Sequence, residues 1–289
     1  MNIFKEQIFQ VRKTIRLRNQ IVDFSQPLVM GILNVTPDSF YDGGKYSDEK
    51  SILTRTQHML EQGANIIDIG GYSSRPKAEE ISLAVELARV IPAINLIIKE
   101  FPNTFISIDT FRAEVAKAAV DSGACLINDI SGGELDPAMF DALATLKVPY
   151  VLMHMRGDPQ TMQSLTDYDN ILLDILSYFE KKVYKLRELG QADLILDPGF
   201  GFAKSIDQNF YLLNHLEYFR LLNIPLMVGI SRKSMVYKTL EIQKEEALNG
   251  TTVLNTIALL RHASILRVHD VKEAVEAIRL ANSLAVEIT

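Results

Sequence analysis

The sequence predicts an α/β protein of the (β/α)8 barrel class, a single domain with a short N-terminal extension. Eight short apolar runs alternate with amphipathic helical stretches. The runs are apolar throughout, which is typical of parallel strands that are covered on their outer face. Eight such units in about 260 residues fit a barrel. An open doubly wound sheet is the alternative, but it usually carries a glycine-rich turn after its first strand, and Asn-Val-Thr-Pro at residues 34–37 is not one.

The predicted elements follow one another regularly along the chain. Residues 1–27 are a polar lead-in, whose alternating segment 14–18 is expected to be a strand on the outside of the core, and residues 28–289 form the barrel. The predicted strands are 28–33, 65–69, 104–108, 125–127, 150–153, 194–196, 226–228 and 264–267. The clearest predicted helices are 48–62, 79–100, 111–122, 171–189 and 271–285. Gly63, Gly123 and Gly190 each follow a helix, as helix-terminating glycines do.

Composition argues against several classes of function. The 289 residues are 47% hydrophobic with a formal net charge of −6, so no general attraction to nucleic acid or to anionic membranes is expected. No apolar run is long enough to cross a bilayer, and the first residues lack the apolar core of a signal peptide. Cys125 lies in an apolar run, which is typical of a buried thiol in a reducing compartment. These features predict a cytoplasmic protein.

Almost every predicted strand ends in a polar side chain. In a (β/α)8 barrel the reactive face forms where the strands run into the following loops, so these residues are expected to converge on one site. Thr110 and Asp270 are instead expected to be helix N-caps, Asp68 to support its neighbours, and His154 to be a structural histidine. The other polar residues at the strand ends are Asn34, Asp109, Asn128, Asp197, Ser231, Arg267 and His269.

The residue types at the strand ends describe a ligand. Asp109, Asn128 and Asp197 supply hydrogen-bond acceptors, which match a planar heterocycle with an amino-pyrimidinone edge. A helix that opens at 231–234 favours an anion at its N-terminus, and Phe202, after two glycines, can form an aromatic wall. The expected cations, which suit a phosphate-like group or a carboxylate, are Arg75, Lys233, Arg267 and His269.

Eight sequence blocks, in order, resemble the dihydropteroate synthase family, the pterin-binding barrel enzymes of folate biosynthesis. One block is Met-Gly-Ile-Leu-Asn-Val-Thr-Pro-Asp-Ser-Phe at residues 30–40, and another is Asp-Pro-Gly-Phe-Gly-Phe at residues 197–202. The other blocks lie at 68–71 with 73–76, 107–110, 127–133, 152–155, 231–234 and 267–271. Any one block is moderately specific, whereas all eight on a barrel pattern are very specific.

The resemblance implies a transferase. The enzyme would condense (7,8-dihydropterin-6-yl)methyl diphosphate with 4-aminobenzoate, which gives 7,8-dihydropteroate and diphosphate. The resemblance assigns the edge of the pterin to Asp109, Asn128 and Asp197. It also implies that Lys233 reaches the pterin ring and that Met153 packs nearby.

The resemblance also implies roles for the remaining candidates. Asn34 matches the family's Mg²⁺ ligand, the metal being held largely by the diphosphate, and Arg267 and His269 complete the diphosphate site. Loops 36–46 and 73–80 are expected to close over the reaction, with Asp38 the residue of the first loop that touches the reacting centre. The residues expected in the second loop or beside the aminobenzoate are Ser74, Arg75, Pro76, Phe202 and Ser234. A homodimer formed through the late helices, which include the apolar segment 253–260, is implied as well.

Three residues depart from the family pattern, and two other functions stay open. Tyr72 stands where many members have glutamate, Ser74 where threonine is common and Lys77 where glycine is usual. One alternative is a pterin-dependent methyltransferase domain, which shares the barrel and the pterin-edge carboxylates but does not need the Thr-Pro-Asp-Ser-Phe loop. The other is a non-catalytic pterin-binding barrel, which has no use for a diphosphate site.

Overall fold

A barrel of eight parallel strands forms the centre of the molecule. The computed structural model describes residues 14–36, 45–72 and 81–284. The barrel strands are β3 (Leu28–Asn34), β4 (Ile66–Gly70), β5 (Phe105–Asp109), β6 (Leu126–Asp129), β7 (Tyr150–Met153), β8 (Leu194–Asp197), β9 (Met227–Val228) and β10 (Ile265–Val268). Neighbours along the chain pair in parallel from β3 to β8, and β10 lies between β9 and β3. A bridge between Leu196 and Leu226 joins β8 to β9, so the predicted (β/α)8 barrel is confirmed.

Helices surround the strands. Their bounds are Lys45–Glu61, Leu83–Glu100, Ala113–Asp121, Met139–Leu146, Ile171–Glu188, Ile206–Asn214, Ser234–Tyr237, Leu248–Leu260 and Val271–Ser283, with 3-10 turns at Met162–Ser164, Leu216–Leu222 and Lys244–Glu246. The helix predicted from residue 79 begins at Leu83, because the Ser82 hydroxyl caps it by accepting the Val85 N–H. Gly63, Gly123 and Gly190 have φ of 101°, 113° and 81°, which confirms them as left-handed residues after helices. In the described parts of the chain, no helix combines the length and the apolar character that crossing a membrane requires.

The N-terminal segment closes one end of the barrel. β1 (Thr14–Leu17) and β2 (Gln20–Asp23) form an antiparallel hairpin. Ile15 and Leu17 are buried in a cluster with the first residues of the barrel strands, among them Met30. The strand was correctly predicted, but its expected position outside the core was wrong. Its alternation buries one face of the hairpin against the barrel, because the N-terminal ends of the strands need an apolar cover.

A smaller apolar cluster lies at the opposite end. It contains Ile130, Met153, Met155, Met162, Phe202 and Ala203, which belong to strand ends β6 to β8 or to the loops that follow them. The hairpin therefore closes the end where the strands begin, and the loops build a mixed polar and apolar surface where they finish. The limits 1–27 and 28–289, assigned from the sequence to the extension and to a single domain, stay predictions.

Candidate active site

Parallel pairing brings three of the predicted residues to one level of the barrel. Asn34 pairs with Gly70, Gly70 with Asp109, and Asp109 with Asn128. Because side chains alternate along a strand, residues in one register row face the same side of the sheet. A Cβ at Gly70 would lie 3.4 Å from Asn34 Oδ1 and 3.7 Å from Asp109 Oδ2. The Asn34 and Asp109 side chains therefore face each other across the bare backbone of Gly70.

Arg267 connects this row to Asp68. Its Nε donates to Asp68 Oδ2 at 2.6 Å, and its Nη2 donates to Asp109 Oδ2 at 2.5 Å. Burial alone would lower the pKa of Arg267, but Asp68 and Asp109 outweigh it and raise that pKa. Asp68 is fully buried, as expected of a supporting residue, and it also accepts a hydrogen bond from Asn128.

The charge of Asp109 depends on two opposing effects. Burial raises the pKa of its carboxyl group to about 7, while Arg267 acts in the other direction. Asp68 adds to the rise, since a second carboxylate disfavours a further negative charge nearby. Asp109 therefore changes its charge close to neutral pH.

Asp197 and Lys233 are two further polar residues at the mouth of the barrel, and they influence each other's charge without a direct hydrogen bond between them. Asp197 Oδ1 accepts the Gly199 N–H at 2.7 Å, and Lys233 Nζ donates to the carbonyl oxygen of Phe200 at 2.6 Å. Burial raises the pKa of Asp197, an effect that Lys233 opposes. Burial also lowers the pKa of Lys233 to about 8. The pair combines an acceptor with a cation that can lose its proton just above neutral pH.

Apolar side chains flank this pair. Lys233 Nζ lies 4.7 Å from the centre of the Phe202 ring. Met153 pairs with Asp197 in the sheet and shares the small apolar cluster with Phe202. Ser234 follows Lys233 at the start of helix Ser234–Tyr237. This helix is a single turn, so its dipole contributes little to the anion binding that the sequence predicted at 231–234.

His269 lies beside Ser231 and Arg267 in this site. The Ser231 hydroxyl lies 3.0 Å from His269 Nδ1 and also accepts the backbone N–H of His269. Burial and then the charge of Arg267 lower the pKa of His269 to about 3. This lowered pKa favours the neutral imidazole in the ligand-free site, and the cationic role expected from the sequence stays a prediction. With Ser231 donating to Nδ1, Nε2 carries the proton and can donate a hydrogen bond.

A buried lysine organises the loop after β8. Lys204 Nζ donates to the carbonyl oxygens of Gly199 and Phe202, at 3.0 and 2.9 Å, and lies 3.0 Å from His154 Nδ1. Burial lowers the pKa of Lys204 well below its usual range, while Asp197 opposes this shift. His154 is buried in this network, as expected of a structural histidine. No sequence pattern indicated this role for Lys204, since a lysine before a helix ordinarily points into solvent.

Two residues expected to be helix N-caps have other partners. Asp270 accepts two hydrogen bonds from Arg232, at 2.9 and 2.8 Å, and makes no side-chain cap. Thr110 donates to the buried Glu86 at 2.7 Å, and the N-cap residue of the following helix is Arg112. Asp270 therefore occupies the predicted N-cap position of helix Val271–Ser283, but its carboxylate contacts Arg232 instead of capping the helix. The N-cap expectation for Thr110 was wrong, because its hydroxyl donates to Glu86 and accepts the N–H of Arg112, which is itself the N-cap residue of that helix. The predicted site residues that lie outside the described residues are Asp38, Ser74, Arg75 and Pro76.

The donors suit a metal that arrives with its ligand. Among the described residues, no group of three His, Cys, Asp or Glu side chains could hold an ion. Asn34 offers a single neutral oxygen beside Asp109. Mg²⁺ often keeps several waters and binds mainly to substrate phosphates, so this sparse set fits a magnesium–diphosphate complex better than a permanently bound ion.

Comparison with known proteins assigns the chain to a family. The model of the pterin binding enzyme family matches residues 30–269. Dihydropteroate synthase of Escherichia coli K12 is 43% identical over 264 residues, which cover 91% of this chain and 93% of that protein. Dihydropteroate synthase of Synechocystis is 44% identical over 259 residues and covers 89% of each chain.

Solved structures agree. Yersinia pestis dihydropteroate synthase in complex with a sulfonamide drug has a TM-score of 0.88 at 41% identity, over 94% of this chain and 99% of that one. Xanthomonas albilineans dihydropteroate synthase with 4-aminobenzoic acid has a TM-score of 0.89 at 35% identity, over 96% and 99%.

The chain belongs to the pterin-binding enzymes, since the family match covers most of its barrel. Arg267 and the carboxylates of Asp109 and Asp197 lie at the mouth of its barrel. Within this class the chain belongs to the dihydropteroate synthases, transferases of folate biosynthesis.

Proposed function

We propose that the mouth of the barrel binds (7,8-dihydropterin-6-yl)methyl diphosphate and 4-aminobenzoate and joins them as 7,8-dihydropteroate. Asp109, Asn128 and Asp197 accept hydrogen bonds from the edge of the pterin. Lys233 lies against the ring, and Met153 packs beside it. The observation that carries this proposal is the juxtaposition of buried carboxylates with Arg267, whose Nη2 lies 2.5 Å from Asp109. Such a site suits one ligand with donors at one end and negative charge at the other.

Departure of diphosphate is the step that the site favours. Arg267 supplies positive charge to the leaving group, and His269 and Asn34 supply hydrogen-bonding groups to it. Asn34 would hold Mg²⁺ that arrives with the diphosphate, and the ion would supply further electrophilic stabilisation of the leaving group. Because Arg267 also contacts Asp109, the residues that bind the two ends of the substrate are directly linked.

The substitution is dissociative. Loss of diphosphate leaves a methylene cation conjugated with the pterin, which the carboxylate of Asp109 stabilises. The amine of 4-aminobenzoate is neutral at physiological pH, so it attacks the methylene carbon without a general base, and the resulting arylammonium then releases its proton to the departed diphosphate or to solvent. Phe202 and Ser234 border this second substrate together with Ser74, Arg75 and Pro76. The two loops, with Asp38 in the first, exclude water during the reaction.

Diphosphate release tests the function. Mixing both substrates with the protein is expected to release diphosphate, and a magnesium titration tests the metal. Pterin binding without turnover would favour a non-catalytic barrel, and methyl transfer to a thiol or metal acceptor would favour a methyltransferase domain. A secondary isotope effect near unity at the methylene hydrogens would contradict the dissociative mechanism.

Two substitutions separate the proposed roles. Asp197→Ala is expected to weaken pterin binding on the order of 100-fold, because a buried acceptor for the ring is lost. Arg267→Ala is expected mainly to slow turnover, because the charge that faces the leaving group is lost. Equal and small effects of both substitutions on the dissociation constant and on kcat would overturn the assignment.

The cellular setting is also a proposal. We place the protein in the cytoplasm. Its one cysteine, Cys125, is a buried thiol whose pKa is raised by burial to about 11. A free thiol of this kind suits a reducing compartment. Assembly as a homodimer is supported by apolar residues exposed on helix Leu248–Leu260.

A further inference from the structure

Asp68 lies one layer below the row formed by Asn34, Gly70 and Asp109. It pairs with Ile32 on one side and with Ser107 on the other, two residues before the ends of those strands. The side chain is fully buried. A single oxygen, Oδ2, accepts hydrogen bonds from Arg267 Nε at 2.6 Å and from Asn128 Nδ2 at 3.0 Å. One carboxylate thus contacts both Arg267, which is proposed to bind the diphosphate end of the substrate, and Asn128, which is proposed to bind the pterin end.

The chemistry of these partners determines which end of the Asn128 carboxamide faces Asp68. Oδ2 already accepts from Arg267, so it presents lone pairs to its other neighbours. Only the N–H end of an amide is attracted to such an oxygen, whereas the carbonyl end is repelled. The carbonyl oxygen of Asn128 must therefore point away from Asp68. It remains available to accept a hydrogen bond from a ligand.

We propose that Asp68 is a positioning residue that sets the hydrogen-bond polarity of Asn128 and thereby selects ligands with an N–H donor at that position. Without such a partner, Asn128 could present either a donor or an acceptor to a ligand, because a half turn of its carboxamide exchanges the two ends. This inference rests on the proposed function, in which Asn128 reads the amino-pyrimidinone edge of the pterin. A heterocycle with an oxygen acceptor in place of the amino group is rejected, since two acceptors would then face each other without a proton.

Two probes that lack diphosphate measure this selectivity directly. 6-Hydroxymethylpterin carries the amino group, and 6-hydroxymethyllumazine carries an oxygen in its place. Neither has a diphosphate for Arg267 to bind, so a direct contact between Arg267 and the leaving group does not enter the comparison. The quantity of interest is the ratio of the two dissociation constants, measured by titration calorimetry at one pH.

Asp68→Leu removes the acceptor at nearly constant volume, and Asp68→Asn keeps one oxygen in its place. With Asp68→Leu, the Asn128 amide is free to turn, so pterin affinity is expected to fall on the order of 10- to 100-fold. The selectivity ratio between the two probes is expected to fall about ten-fold. Asp68→Asn is expected to keep the ratio within about five-fold of the wild type, since an amide oxygen can still accept from both partners. A merely structural role for Asp68 would weaken both probes equally and leave the ratio unchanged.

A double substitution provides the decisive control. Asn128→Asp gives position 128 a group that accepts hydrogen bonds at both ends, so its orientation no longer matters. Adding Asn128→Asp to Asp68→Leu is therefore expected to restore the preference for the pterin probe. The double variant also keeps a carboxylate near Arg267, so it provides a folded protein for the test if Asp68→Leu alone folds poorly. Thermal unfolding identifies which variants are folded. An unchanged ratio in Asp68→Leu, or a double variant without recovered preference, would overturn the inference.

The wild type separates this inference from the proposed function. If it neither binds the pterin probe nor releases diphosphate, both ideas fail. If it turns over while the selectivity ratio is insensitive to Asp68, only the positioning role fails.

Discussion

Lys233 illustrates how single residues tune this site. It lies between the carbonyl of Phe200 and the ring of Phe202, and it faces the charge of Asp197. Its burial was not evident from the sequence, which indicated only a cation in a turn. Residue types at the strand ends could be predicted because the barrel always exposes those positions. Charge states could not be predicted, since they depend on burial, which lowers the pKa of His269.

The pH dependence of catalysis is predicted from two of these groups. The proposed role of Asp109 needs its carboxylate, which is lost as pH falls through about 7, because burial raises that pKa. Lys233 acts as a cation, which is lost as pH rises through about 8, because burial lowers that pKa. A plot of kcat/KM against pH is therefore expected to be bell-shaped with a maximum between these values. Lys233→Arg should remove the alkaline limb, since a guanidinium keeps its proton. An alkaline limb that persists in this variant would contradict the assignment.

At the scale of elements, the loop after β8 depends on a residue that its own sequence pattern concealed. Gly199 has φ of 71°, and a Cβ there would lie 2.1 Å from the carbonyl oxygen of His154. The glycines of this segment signalled a tight turn from sequence alone. The lysine that ties the turn to β7 was not predictable, because its partner His154 is 50 residues away along the chain.

Replacement of this lysine is expected to destabilise the loop. Lys204→Met leaves two carbonyl oxygens and His154 Nδ1 without their donor, so a loss of about 2–4 kcal/mol in the free energy of unfolding is expected. Pterin affinity should fall as well, because Asp197 and Phe202 lie at the two ends of this turn. Lys181→Met, at an exposed position of helix Ile171–Glu188, is the matched control and should change stability by less than about 0.5 kcal/mol. Equal urea midpoints for the two variants would contradict this account.

The N-terminal hairpin gives a second test at this scale. Leu17 is fully buried at the closed end of the barrel, whereas Ile21 on the paired strand is 77% exposed. Leu17→Ala is expected to cost about 2–4 kcal/mol in the free energy of unfolding. Ile21→Ala should cost less than about 0.5 kcal/mol. Turnover per folded molecule should stay unchanged in both, since the site lies at the other end of the strands; a loss of kcat in Leu17→Ala at full folding would refute that separation.

For the whole molecule, sequence periodicity was enough to identify the barrel, because parallel strands and their helices repeat a local pattern. Long-range ion pairs could not be predicted from this periodicity. Arg267 reaches Asp68 across 199 positions, and Arg232 reaches Asp270 across 38. Each residue has an adequate local explanation on its own, so only the closed barrel reveals the pairing. Asp270 lies at the N-cap position that the sequence predicted, but the contact with Arg232 takes its carboxylate away from the helix.

Assembly is the remaining prediction at this scale. Val253, Ile257 and Leu260 are 50%, 36% and 54% exposed and lie on one face of helix Leu248–Leu260, at helical spacing. Such a continuous apolar face is typical of a subunit interface. Light scattering is expected to give twice the 32.5 kDa mass of the chain. Ile257→Glu should give the monomer mass, because it buries a charge in the contact.

A matched substitution elsewhere makes the assembly test specific. Leu173 is 60% exposed on helix Ile171–Glu188, outside the proposed interface. Leu173→Glu should leave the mass unchanged, since it adds a charge to a surface that already faces solvent. If both variants lowered the mass, general destabilisation would explain the result and the interface would be misplaced. A wild-type monomer at micromolar concentration would exclude the dimer altogether, whereas loss of mass in Ile257→Glu alone would assign the contact to this helix.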